Sequence, residues 1–208
     1  MPLDSMLLDL AKVAGIIGLL GYIPYVLAII RRKTTPNPAT WWIWSVVGWA
    51  AFASYYAAGE HETFWLMLTY AVGPSIIGLL SFKYGKVDAL EKFDIACLAI
   101  SFISVILWQL TDNPLLALTI NLAIDITGAL PTIRKTYLQP DSEDALSWSV
   151  FWTGNTLNFA VILFSGQWNA ASIPYPLYLC LLASSMMILI LRGKGQNISA
   201  KEQAREQS

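Results

Sequence analysis

Gly21-Tyr22-Ile23-Pro24 with Arg31-Arg32-Lys33 recurs, 107 residues on, as Gly128-Ala129-Leu130-Pro131 with Arg134-Lys135. The same offset pairs Thr40 with Ser147, Trp41 with Trp148, Trp44 with Phe151 and Gly59 with Gly166. The register runs without a gap from residue 21 to residue 59. Any two apolar helices can be slid into partial agreement. A constant offset that keeps Gly on Gly and Pro on Pro reads instead as an internal duplication.

The surrounding composition says what solvent this repeat meets. The chain has 208 residues, of which 56% are hydrophobic and 13% charged, and its mean hydropathy is +0.53. The charged share is about half that of a soluble domain. That excludes a soluble single-domain enzyme and a disordered chain, and the net charge of −1 excludes a nucleic-acid binder. A membrane helix needs about 20 mainly apolar residues. Seven segments qualify, at roughly 10–30, 41–58, 63–82, 94–111, 114–133, 146–165 and 170–191. Ala145 to Leu191 contains no Asp, Glu, Lys or Arg, and Ser165-Gly166-Gln167-Trp168-Asn169 splits it into two helices. The first segment has neither the basic start nor the cleavage site of a signal peptide.

Twelve of the thirteen Lys and Arg fall on alternate connections: Arg31 to Lys33, then Lys83, Lys86 and Lys92, then Arg134 and Lys135, then the tail. The other connections hold Glu60, His61, Glu62 and Asp112 and no base; Lys12 is the exception. The positive-inside rule then puts the N-terminus outside and the C-terminus in the cytoplasm, as seven spans require. The expected architecture is an all-α membrane protein of seven transmembrane helices in a 3+1+3 parallel repeat. Its parts are a first triple-helix bundle at 1–92, a linker helix at 93–112, a second bundle at 113–192 and a polar tail at 193–208, frayed or a short helix. One extra crossing is needed for the second three-helix unit to keep the orientation of the first.

These features resemble the PQ-loop and SWEET (MtN3-like) transporter superfamily, whose members carry 3+1+3 helices and a Pro late in the first and fifth, followed by a basic loop. Ser147-Trp148-Ser149 is similar to the stretch that opens the second helix of its repeats. The resemblance implies transport by alternating access, and it admits proton coupling and a homo-oligomer. It departs at the Gln of the PQ pair, which is Tyr25 in one half and Thr132 in the other, and at the Asn of helices 3 and 7 and the Pro of helices 2 and 6, all absent here. A sugar substrate is therefore not implied.

Asp125, in the middle of the fifth segment, is the leading functional candidate. An ionised carboxylate there costs about 3 kcal/mol on insertion scales, so such a residue faces the bundle interior or water. Its repeat mate is Gly18, so the duplication does not demand a carboxylate. It reads as a proton-coupling or cation-binding group, against a structural hydrogen bond as the bland alternative. Asn121 shares its helix face at i−4, and Asn155 and Asn158 share one face of the sixth segment. These polar side chains are candidates for one wall of a solute cavity, although such residues also join membrane helices without a ligand. Trp41, Trp42 and Trp148 at one interface and Trp65, Trp108 and Trp168 at the other read as an aromatic belt. The deeper Trp44, Trp49 and Trp152, with Tyr70, Tyr175 and Tyr178, could stack on a solute or simply pack. Pro24 and Pro131 each remove a helix hydrogen bond and are candidate hinges, with further kinks expected at Pro74, Pro174 and Pro176. Gly15, Gly18 and Gly21 read as a close helix contact. His61 lies in a solvated loop. Cys97 and Cys180 sit in apolar runs as small core residues.

No metal-ligand cluster and no cofactor motif is evident. A membrane segment with a Ser-His pair, a His-Glu-x-x-His or a paired Asp is lacking, so no enzyme is expected. A retinal protein would need a Lys in residues 170–191, and there is none. The sequence therefore predicts a carrier for a small polar solute, located in the lipid bilayer of a bacterial inner membrane. The competing reading is a KDEL-receptor-like ligand-binding or sorting protein of the same fold.

Overall fold

The computed structural model describes residues 3–57, 64–85, 91–110, 114–166, 168 and 173–206. Gly59, Glu60, His61, Glu62, Lys86, Asp112, Gln167 and Asn169 lie outside them. The described residues form α1 (Leu3–Leu20), α2 (Tyr22–Ile30), α3 (Pro38–Ala57), α4 (Phe64–Tyr84), α5 (Lys92–Gln109), α6 (Pro114–Leu138), α7 (Ala145–Ser165) and α8 (Pro174–Glu206), with no strand among them. One turn of 3-10 helix at Pro140–Ser142 precedes α7.

Local chemistry sets the helix ends. α1 and α2 are one rod broken at Gly21. Pro24 offers no N–H to the Leu20 carbonyl and its ring crowds it. The Gly21 N–H is shared between the carbonyls of Ile17 (3.2 Å) and Gly18 (3.3 Å). Arg32, at φ 57, closes α2 in the left-handed region. Its N–H and that of Lys33 reach back to the carbonyls of Ile29 and Ala28, both at 2.9 Å, which is a Schellman ending. The Asn37 carboxamide oxygen caps α3 through the N–H of Ala39 at 2.9 Å, and Asp144 caps α7 through the N–H of Ser147 at 2.9 Å. These caps are also 107 residues apart. α7 stops at Gly166, φ 68, as the turn reading expected.

Three expectations change. Pro174 and Pro176 lie in the first turn of α8, where a missing N–H leaves no bond unmade, so they start the helix rather than kink it. Pro131 sits inside α6 without ending it, unlike its partner Pro24. The segment beyond Gly193 continues α8 as far as Glu206, because it contains no Pro and several good helix formers.

Helix packing follows a reciprocal pattern. α3 lies on α4 and α7 on α8, while α1 crosses to α7 and α6 crosses to α3; α5 packs on α6. Gly21 and Gly128 sit at the two crossings: a Cβ on Gly21 would meet the Phe151 ring at 2.5 Å, and one on Gly128 would meet Ile43 at 2.6 Å and the Trp44 ring at 3.3 Å. Gly154 lets α7 approach the backbone of α1, since its Cβ would stand 2.8 Å from the Gly18 nitrogen. Gly48 plays the same part between α3 and α4, with the Ala71 Cα at 2.8 Å. We expect Gly48→Ala and Gly154→Ala each to lower stability by about 1–3 kcal/mol, because backbone cannot move aside as a side-chain tip can. A Cβ on Gly18 meets nothing within 4 Å, so Gly18→Ala should be neutral or stabilising by up to about 1 kcal/mol from helix propensity. Thermal unfolding of the three variants, compared with the wild type, checks that order.

The surface is apolar and the interior carries much of the polarity. Leu79, Phe82, Phe102, Leu110, Phe164 and Ile188 are all at least 60% exposed, while Thr40, Ser81, Asp125, Thr132, Thr136, Glu143 and Ser147 are buried. Two described segments, Asp9–Ile30 and Pro174–Gly195, are long and apolar enough to cross a membrane. The other helices carry more Trp, Asn, Thr or charge, which lowers their hydropathy.

Candidate functional site

Asp125 is 6% exposed. Its carboxylate Oδ2 accepts the phenol O–H of Tyr175. Its main-chain oxygen accepts the indole N–H of Trp44 at 3.4 Å, a long bond. Three helices therefore meet here: α6 brings the carboxylate, α8 the phenol and α3 the indole. Tyr178, one turn below Tyr175, lies with its ring 6.1 Å from that of Tyr175, and its buried hydroxyl has no hydrogen-bond partner. The hydroxyls of Tyr22 and Tyr178 are within electrostatic range of Asp125. Among the described residues no Lys or Arg forms an ion pair with Asp125; the ion pairs are Lys12–Asp9, Arg134–Glu91 and Lys135–Glu143.

From this group a chain of edge-on aromatic rings runs toward the basic end. Trp44 meets Trp41 at 5.1 Å, Trp41 meets Tyr22 at 6.4 Å, Tyr22 meets Phe151 at 5.3 Å and Phe151 meets Trp148 at 5.7 Å. The two indole pairs at its ends, Trp41 with Trp44 and Trp148 with Phe151, are again 107 positions apart.

The remaining candidates lie elsewhere. Trp49 (45% exposed) and Trp152 (41% exposed) sit on the α3–α4 and α7–α8 seams, their indole N–H groups donated to Ser75 and Ser184, each at 3.0 Å. The Asn155 amide turns back onto its own helix and donates to the Phe151 carbonyl at 2.9 Å. Asn158 and Asn121 are half-buried, Asn121 one turn before Asp125. Tyr70 is exposed on α4.

A second polar cluster, at the basic end, escapes the sequence reading. Glu143, fully buried at its side chain, accepts the Tyr25 phenol at 2.9 Å, the Trp148 indole N–H at 2.8 Å and the Lys135 ammonium at 2.5 Å. Lys135 also donates to the Thr35 carbonyl, and the Thr35 N–H donates to the Ser142 carbonyl at 2.9 Å. Thr35 and Ser142 are themselves one offset apart, so equivalent loops of the two halves meet there. Thr132, which stands with Tyr25 at the position after each repeated Pro, donates to the Thr40 hydroxyl at 2.9 Å. Both post-proline side chains thus bond into the opposite half. A cavity of about 140 Å³ opens beside this cluster, lined among others by Asn37, Glu91, Asp94, Arg134, Lys135 and Gln139.

Comparison with known protein families, with characterised proteins and with solved structures gives no match.

Proposed function

We propose that the chain is a seven-span membrane carrier of the PQ-loop and SWEET type, moving a small polar solute by alternating access between two three-helix halves, with Asp125 as the proton-coupling group. The observation that carries this reading is the reciprocal crossing, α1 on α7 and α6 on α3. Advanced by one repeat, the first contact becomes the second, as a pseudo-twofold axis along the membrane normal would require. The matched glycine seats, helix caps and cross-half hydrogen bonds of Tyr25 and Thr132 support the same symmetry. The apolar exterior suits a lipid solvent. In the same reading the Glu143 cluster closes the basic, cytoplasmic end.

The test is flux. Purified protein in liposomes should exchange at least one solute from a panel of sugars, amino acids, nucleosides, amines and vitamins faster than protein-free vesicles do. Vesicles that show no protein-dependent flux for any panel member would overturn the carrier reading and leave the receptor or sorting reading.

A further inference from the structure

The group around Asp125 is built for one positive charge. Its carboxylate is buried, it has a single O–H donor from Tyr175, and no base among the described residues is paired with it. A buried carboxylate without a countercharge is costly unless it is neutral or meets a cation. The side chains next to it are rings: Tyr175, Tyr178, Tyr22 and Trp44. Aromatic faces attract cations by their quadrupole, and more strongly where water is excluded. The free hydroxyl of Tyr178 is one more oxygen that an N–H donor can use.

Resting on the carrier reading, the geometry points to an organic monocation as the solute: an amine or a positively charged flat heterocycle, held by Asp125 and caged by Tyr175, Tyr178, Tyr22 and Trp44. The absence of a paired base works against an anion or a zwitterion, whose carboxylate would be left unpaired among the rings. Proton and cation then occupy the same carboxylate in turn, so the two cross the membrane in opposite directions. The other titratable groups on the elements packed around Asp125 are the phenols of Tyr22, Tyr70, Tyr175 and Tyr178 and, on α5, Cys97 beside Ile124 and Asp94 near the basic end. Phenols and thiols of ordinary pKa stay neutral through mildly acid pH, so the competition is set at Asp125.

Benzylammonium, benzyl alcohol and benzoate share one ring and differ in charge. Benzylammonium should raise the Tm of the wild type with dose at mildly alkaline pH, by mass action on the folded state, while the alcohol and benzoate should not. Below the pH at which the carboxyl is mostly protonated, its apparent affinity should drop about tenfold per pH unit. Asp125→Asn should lose the response. Tyr175→Phe, which frees the carboxylate, should keep it and serves as a folded control. A response to benzyl alcohol equal to that of benzylammonium, a response kept in Asp125→Asn, or no response of the wild type to benzylammonium would overturn the inference. Flux of a neutral solute alone in the vesicle panel would also overturn it while leaving the carrier standing; absence of all flux would remove both.

Discussion

Glu143→Ala will lower the stability of the fold by about 3–5 kcal/mol, the loss expected when one partner of a buried ion pair is removed. Three donors converge on that carboxylate: the Tyr25 phenol, the Trp148 indole and the Lys135 ammonium. The Lys135 side chain is only 16% exposed, so without Glu143 its charge stays largely buried. Two neutral donors are stranded with it, each worth about 1–3 kcal/mol when buried without a partner. Glu143→Gln should cost less, because its carbonyl oxygen still accepts from Tyr25 and Trp148 while only the charge is lost. Replacing both members, as Glu143→Gln with Lys135→Met, should recover part of the difference, since no unpaired charge remains. Arg134→Ala is the contrasting case. Its pair with Glu91 at 2.6 Å is 41% and 54% exposed, and such pairs contribute about 0–1 kcal/mol. Thermal unfolding in detergent orders the four variants, and an Arg134→Ala loss equal to that of Glu143→Ala would contradict the assignment.

Particular residues show what the sequence carries and what it hides. The helices are legible because length and apolarity are local properties; each of the seven expected segments has a helix at its place, with α1 and α2 sharing the first. The Gly166 end of α7 is legible because a left-handed residue needs glycine. Pro174 was misread because the same ring that kinks a helix interior is harmless in a first turn, and only the start position separates the two cases. Asp125 stood out by chemistry alone, as the lone carboxylate of an apolar segment. Its partners did not: Tyr175 lies 50 residues away, and only the fold selects it over the other tyrosines. Glu143 was missed because Asp141-Ser142-Glu143-Asp144 reads as a solvated loop. The usable signal was the offset itself. Carried past the helices, it matches Asn37 to Asp144 and Thr35 to Ser142, which places this loop, like its counterpart, against the bundle rather than in water.

Asp125→Asn will remove proton drive from transport. The substitution keeps the shape and an acceptor for the Tyr175 hydroxyl but removes the group that gains and loses a proton. One proton exchanged per solute lets a gradient of one pH unit, about 1.4 kcal/mol, sustain about a tenfold concentration ratio. In the variant that ratio should fall to equality, and flux should no longer respond to the pH on either side. What survives separates the two roles of the carboxylate. If Asp125 only relays protons, a neutral solute still crosses downhill in the variant at a rate near that of the wild type. If Asp125 is also the countercharge of a cationic solute, downhill flux disappears with the drive, since the neutral amide leaves the cation among rings with no charge to meet it. Radiolabelled uptake into vesicles with and without an imposed pH gradient measures both quantities in one preparation. An Asp125→Asn protein that still accumulates solute against its gradient would place the coupling group elsewhere.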